Sequence, residues 1–348
     1  MACTGVYLSE ISTALAQFEK LTSLVERTEA MLLAREDIPD EAAVSAALKA
    51  CLTVAKSLTQ QAVEIKKQES KSLLDVDEKP RPNKSRPSST ALLFKKTVDR
   101  VSEAAFKILK APNVTITTPL IQQYIKIQGE LAQADTIPEI LYLYGTKPYP
   151  VKSGSGIRYK KRFSSLPYTA IDEETAASAL KVAISTKNLD AAINIVDVCY
   201  CTRAFYLRKI SNSATLPLIF ASVVPATAYG LAQAFAKYNS TIDPATATSL
   251  AFVGIMGYIG FTGTMGVVAR MSMMDHMKRV TWFPGTPFRQ RWLREEERAA
   301  MDKIAMAWGF QETWKHGEET GVEWENLKEY LGHKQMLLDR VEFMEGMN

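Results

Sequence analysis

Between Ala214 and Ala236 no side chain carries a charge, and the same holds from Ala245 to Ala269. At ~1.5 Å of rise per residue, about 23 helical residues reach about 35 Å, enough to cross a bilayer with some tilt. Two uncharged runs of this length are uncommon in a water-soluble core, so the pair reads as a membrane hairpin. The second run is the weaker. Its Leu250, Phe252, Val253, Ile255, Ile259, Phe261, Val267 and Val268 each favour insertion by roughly 0.3 to 0.6 kcal/mol, a margin that its glycines and threonines erode. Its insertion is expected to lean on the first.

Small residues suggest how the two helices meet. Ser222, Ala226, Gly230 and Ala234 recur every fourth position, on one helix face, where they allow close backbone approach. Gly254, Gly257, Gly260, Gly263 and Gly266 recur every third position, a row that winds slowly around its helix and can face both the first helix and a further partner. Orientation follows from the basic flanks. Arg203, Arg208 and Lys209 precede the first run and Arg270, Lys278 and Arg279 follow the second, whereas the turn offers Lys237 against Asp243. Both termini are therefore expected on the positive side, cytosol or mitochondrial matrix. Trp282, Phe283, Arg291 and Arg294 are expected near the headgroups.

The remainder of the 348 residues has room for one or two water-facing domains. A net charge of +4 is too small on its own to indicate nucleic acid. Cys3, Cys51, Cys199 and Cys201 are too scattered for a disulfide framework, and His276, His316 and His333 have no metal-ligand spacing, so neither metal nor cofactor is expected. The opening MACTGVYLSEISTALAQFEK lacks the basic start and apolar core of a secretory signal. Glu10 and Glu19, with no arginine, also make it unlike a mitochondrial presequence, so a mitochondrial address is expected to be internal or to precede this stretch.

Helical periodicity organises most of the rest. The expected layout is an N-terminal helical segment over 1–69, a disordered Pro-rich linker over 70–90, a helical-pair domain over 91–212, the transmembrane hairpin over 213–270 and a helical C-terminal domain over 271–348. Thr118 and Pro119 open one pair of helices and Asp172 another. Laid over each other with Asp135 against Asn188, the pairs match Leu131 to Ile184, Ile140 to Ile193 and Tyr142 to Ile195, and the stretch after Asp40 resembles them too. Such hairpins, stacked, make an α-solenoid, whose concave side commonly binds a partner. The expected fold class is therefore all-α, solenoid-like or an irregular bundle.

Between the pairs lies a basic loop, 145–169, in which Lys147, Lys152, Arg158, Lys160, Lys161 and Arg162 are interleaved with Tyr149, Tyr159 and Phe163. Cations beside rings suit RNA, whose phosphates attract the charge and whose bases stack. They suit anionic lipid equally. The run Glu295 to Glu297 reads as a solvated helix face. No nucleophile elbow, dinucleotide fingerprint or phosphate-binding loop is present, so no catalytic residue is expected and the chain reads as a non-enzyme.

The phrase TTPLIQQYIKIQGELAQADTIPEILYLYGTKP, the pair from Asp172 to Arg203, and the ending WFPGTPFRQRWLREEERAAMDKIAMAWGF with EWENLKEYLGHKQMLLDRVEFMEGM together look like fungal mitochondrial inner-membrane proteins of poorly defined role. The paired helices also resemble tetratricopeptide or pentatricopeptide units. The resemblance covers roughly Thr115 to Asn348 and carries over no functional residue. It implies the mitochondrial inner membrane and a part in respiratory growth or organellar gene expression. The resulting expectation is a scaffold or tether for a partner protein or RNA, with both termini in the matrix. The alternatives are a membrane-organising protein acting through anionic lipid, and another intracellular membrane with cytosolic termini.

Overall fold

Apolar residues spaced three and four apart run through most of the chain, and they form helices. The structure, a computed structural model, describes residues 20, 22–34, 37–74, 89–153, 156–238, 241–272 and 277–339. The chain is 73% helix and 6% strand, so it is all-α in character, and the strands among the described residues form two short antiparallel ribbons. Two compact units divide it. One comprises Met1–Ser164 and Ile171–Cys199, the other Ser165–Ala170 and Tyr200–Asn348.

In the first unit, α1 (Glu41–Leu74), α2 (Ser89–Lys110), α3 (Thr118–Leu131), α4 (Ile137–Thr146), α5 (Glu173–Ser185) and α6 (Leu189–Tyr200) follow one another, with a ribbon of β1 (Tyr149–Ser153) and β2 (Gly156–Lys160) after α4. α1 buries Val44, Leu48, Cys51, Ala55 and Leu58, spaced three and four apart, and packs against α3. α3 also packs against α5, so α1, α3 and α5 lie side by side, while α2 touches α1, α3 and α4. Gly129 makes the α3–α5 approach possible, since a Cβ there would stand 3.1 Å from Val182 Cγ2. Polar ties sit among these contacts. Ser102 Oγ donates to the buried Gln128 Oε1 at 3.0 Å, Tyr124 and Thr136 share a hydroxyl bond of 2.6 Å, and Asn188 Nδ2 donates to Asp135 Oδ1 across the two helix-pair turns.

Several boundaries differ from expectation. Thr117, one residue before Thr118, is the N-cap of α3, and its hydroxyl donates to Glu41 at 2.7 Å instead of accepting from the helix. Residues 70–74 continue α1 and 89–90 begin α2, whereas 75–88 of the expected linker lie outside the described residues. So do 1–19 of the expected N-terminal helix and the segment with Val341 and Met344.

The second unit holds two long helices, α7 (Arg203–Tyr238) and α8 (Pro244–Ser272), then β3 (Val280–Trp282), α9 (Phe288–Leu293), α10 (Glu295–Trp308), α11 (Val322–His333) and β4 (Met336–Leu338). β3 pairs with β4, Val280 opposite Leu338. Buried charge organises its C-terminal part. Asp302 accepts the backbone N–H groups of Lys278, Arg279 and Val280 at 3.3, 2.8 and 2.9 Å, fastening the start of β3 to α10. Arg279, 1% exposed, makes a fork to both Asp339 oxygens at 2.8 and 2.7 Å, meets Glu319 at 2.7 Å and lies over the Trp324 ring at 4.5 Å. Gly309 leaves the space for that guanidinium, because a Cβ there would fall 1.6 Å from Arg279 Nη1.

The run Glu295 to Glu297, expected to be solvated, is paired throughout. Glu295 binds Arg298 at 2.6 Å, Glu296 meets Lys209, and Glu297, 1% exposed, binds Arg294 at 2.8 and 3.0 Å. Acids in a first turn also favour the helix dipole, so their placement serves α10 twice. Trp282 and Arg294 are likewise not headgroup residues: Trp282 is 6% exposed, its Nε1 donates to Glu295 at 3.2 Å, and Arg294 is held by Glu297.

Burial acts to raise the Glu319 carboxyl, but the Arg279 guanidinium and the N–H groups of Phe310 and Gly317 outweigh it and hold it at about 2. With the folded value below the ordinary 4.5, the folded state binds fewer protons, so this contribution is complete above pH 4.5 and lost as pH falls through 2. Its upper limit is about 3 kcal/mol. All five tryptophans lie in the second unit, so tryptophan fluorescence follows it alone. Its acid-unfolding curve is expected to steepen below pH 4.5 and to be flatter in Glu319→Gln; identical acid profiles for the two proteins would contradict the assignment.

Candidate membrane hairpin and basic ribbon

Among the described residues, three helical stretches are long and apolar enough to cross a membrane: 41–61 in α1, 203–238 in α7 and 244–270 in α8. Their surroundings separate them. The apolar face of α1 is covered by α3, which accounts for it without lipid. By contrast, 6% of the most apolar stretch of α7 and 0% of that of α8 is buried within the chain. Leu218, Phe220, Leu231, Phe235, Leu250, Val253, Phe261 and Met265 all stand exposed. α7 continues as helix through Pro217 and Pro225.

α7 and α8 pack on each other, but not through the predicted seam. Ser222, Ala226, Gly230 and Ala234 are exposed, and the buried stripe is Ala228, Ala232 and Ala236, with Ala247 the buried residue of α8. Two residues correspond to about 200° around a helix, so the contact lies on the opposite side from the one expected. Alanine explains the choice: each methyl is buried without loss of rotamer freedom, whereas the other stripe would bury the Ser222 hydroxyl and no side chain at Gly230. An edge-to-face contact between Tyr229 and Phe252, centroids 6.1 Å apart, flanks the alanine seam. Gly254, Gly257, Gly260, Gly263 and Gly266 are all exposed, with nothing within 4 Å of a Cβ added at any of them, so they do not meet the first helix.

The basic segment is a ribbon where a loop was expected. Tyr149 pairs with Lys160, Val151 with Arg158 and Ser153 with Gly156, and residues 154–155 of the connection lie outside the described residues. The signal was present as two five-residue stretches, YPVKS and GIRYK, joined by Gly-Ser, a pattern that favours a tight hairpin turn. Strand alternation then splits the six predicted cations. Arg158 and Lys160 share one face with Val151 and Tyr149. Lys152 falls on the other with Pro150, Ile157 and Tyr159, where Pro150 is buried and Tyr159 donates to Asn113 Oδ1 at 2.6 Å. Lys152 comes within 3.9 Å of Asp37.

Lys147 leaves the candidate binding set altogether. Its Nζ donates to the carbonyls of Leu109, Ala111 and Val114 at 2.8, 2.6 and 2.8 Å, closing the C-terminal end of α2. All three ammonium protons are used. Burial pushes this amine down to about 8. Arg162 lies over the Tyr144 ring at 4.7 Å. Arg158, Lys160 and Lys161 remain exposed together, with Phe163 also exposed.

No protein-family model, curated protein or solved structure matches this chain.

Two pairs of substitutions test these placements. Ala232→Leu is expected to lower the heat stability of the detergent-solubilised chain by about 1 to 3 kcal/mol through overpacking, while Ala234→Leu stays within about 0.5 kcal/mol. The reverse order would return the seam to the other face. Lys147→Met leaves three carbonyls without their donor and is expected to destabilise the first unit by about 1 to 3 kcal/mol, against nearly nothing for Lys160→Met, as read by helix loss in chemical denaturation.

Proposed function

We propose that this chain is a non-enzymatic protein of the mitochondrial inner membrane, anchored by the α7–α8 hairpin with both termini in the matrix. Its helical pairs hold a partner protein or RNA close to the membrane, in respiratory-complex biogenesis or organellar gene expression. The observation that carries the anchoring is the bare apolar surface of α8, which has no cover within the chain. Lipid supplies that cover at no polar cost, because a helix satisfies its own backbone groups. The side-by-side α1, α3 and α5 support the solenoid-like reading, in which stacked pairs offer a continuous partner face. Mitochondrial placement rests on the resemblance described for Thr115 to Asn348.

RNA is the ligand class we assign to Arg158, Lys160 and Lys161, with Phe163 beside them as a stacking ring. A second reading has its own support. Exposed Val151 on the same ribbon face as Arg158 and Lys160 suits an anionic lipid surface, and would make the protein a membrane organiser.

One set of measurements tests both. In mitochondria, alkaline carbonate is expected to leave the chain in the membrane, and protease added to intact inner membranes should spare both termini. Ultraviolet crosslinking should recover RNA at the ribbon, falling about tenfold or more in the triple variant Arg158→Glu, Lys160→Glu, Lys161→Glu. Loss of vesicle binding in that variant, with no RNA recovered from either protein, selects the second reading. Release by carbonate defeats both.

A further inference from the structure

The segment from Phe283 to Leu293 leads from β3 into α10, and it is built for neither. Pro284 and Gly285 (φ +92°) form a turn closed by Thr286 N–H donating to Phe283 O at 3.2 Å, the geometry in which proline precedes a glycine of positive φ. The turn projects Phe283, 53% exposed, and α9 begins with Phe288, 58% exposed. A chain with a packed core beside it has no reason of stability to leave two phenylalanines bare.

Position supplies the reason. α9 packs on α8. On the other side, Lys209, five residues before the first uncharged run, donates to Trp292 O, reaches Glu296 and lies 4.8 Å over the Trp292 ring. The same short helix therefore touches the chain just before one apolar run and the helix that carries the other. That is the end of the hairpin where both runs emerge, so α9 is fixed at the boundary of whatever phase covers α7 and α8. Its cations fit that boundary as well. Arg289 is exposed, and Arg291 is ordered by a bond from Nε to Thr286 O at 2.8 Å and by the Phe288 ring at 5.6 Å. Rings pointing into the acyl boundary with guanidinium groups beside them at phosphate level are the pattern of an interfacial anchor.

We propose that Phe283, Phe288, Arg289 and Arg291 form an interfacial foot that inserts its two rings into the headgroup layer of an anionic leaflet, at the end of the hairpin facing the termini. The foot fixes the depth of the hairpin and the distance of the C-terminal core from the membrane. The inference rests on the spanning reading above. The occupant is lipid and not a protein, because α9 packs on the helix whose apolar stretch stands exposed, its own charges Arg289 and Arg291 are positive, and the neighbouring Glu295 and Glu296 are already paired with Arg298 and Lys209.

The test uses the full chain reconstituted in phosphatidylcholine vesicles with and without phosphatidylglycerol. An environment-sensitive fluorophore is attached at Phe288→Cys, Cys3 and Cys201 being replaced by serine and the buried Cys51 and Cys199 left in place. Emission is expected to shift to the blue and to be quenched about twofold by a nitroxide near the headgroup, with little effect from one at the acyl-chain end, and more strongly in the anionic vesicles. Arg289→Glu should remove the anionic preference. A probe at Trp314→Cys, 72% exposed in the native chain, is expected to stay in water. Water-like emission at position 288, or a blue shift insensitive to lipid nitroxide, overturns the foot, the latter because protein then covers it. Carbonate treatment of the same vesicles keeps the two failures apart. A chain that washes off has lost the spanning reading, whereas a retained chain with a watery probe has lost only the foot.

Discussion

A 29-residue helix whose most apolar stretch buries 0% of itself within the chain has to find its contacts elsewhere. In water, α8 would leave Leu250, Val253, Tyr258, Phe261, Met265, Val267 and Val268 exposed on all sides, each at about 1.5 to 3 kcal/mol relative to burial. The comparison with α1 is instructive because composition alone ranks the two together. α1 carries Lys49 and Lys56 on one side and a buried stripe on the other, so α3 can satisfy it. α8 has no polar side to present to water, and among its described side chains Ala247 alone is buried. The hairpin is thus the constraint on which the proposed topology and the proposed foot of α9 rest.

Beside that apolar hairpin the second unit is held by an unusual density of charge. Arg279 and Arg298 are among its largest fully buried side chains, and each is met by carboxylates and by ring or backbone partners. Such pairs contribute less net stability than their Coulomb energy suggests, because desolvation opposes it, but removing one partner leaves a buried charge at about 3 to 5 kcal/mol. Their effect here is to specify geometry. Asp302 holds the start of β3, Arg279 ties that strand to the residue after β4 and to the loop containing Glu319, and Gly309 gives way to the guanidinium. A hydrophobic core of the same size would tolerate slippage of a three-residue ribbon; this one does not.

The helices and the uncharged runs were legible because periodicity and charge are properties of single stretches. What was not legible depended on partners distant in sequence. Lys147 looked like one more cation in a basic loop, and only the arrival of the α2 carboxyl end turns it into a cap. The alanine seam was indistinguishable by spacing from the serine and glycine stripe two residues away, since both recur every fourth position. Burial also shows where the internal likeness of the helix pairs stops: Tyr142 was matched to Ile195, yet one is 58% exposed and the other 0%. The ribbon is different, because its two alternating stretches and Gly-Ser join carry a hairpin signal that the density of cations along them overlies.

On the proposed topology two of the cations flanking the hairpin, Arg279 and Lys209, hold two roles that act at different times. Orientation in a membrane follows the count of lysine and arginine near the spans and is little affected by acids. Arg279 and Lys209 belong to that count, yet in the folded chain Asp339 and Glu319 neutralise the first and Glu296 the second. Those acids all lie in the C-terminal domain, beyond the second run. On the proposed topology Arg279 and Lys209 are therefore bare cations while the hairpin is being oriented and become paired ions once the C-terminal domain closes on them. On that topology Arg279 and Lys209 both count toward the side of the membrane and fasten the C-terminal domain to it, while Arg203, Arg270, Lys278 and Arg289 stay exposed.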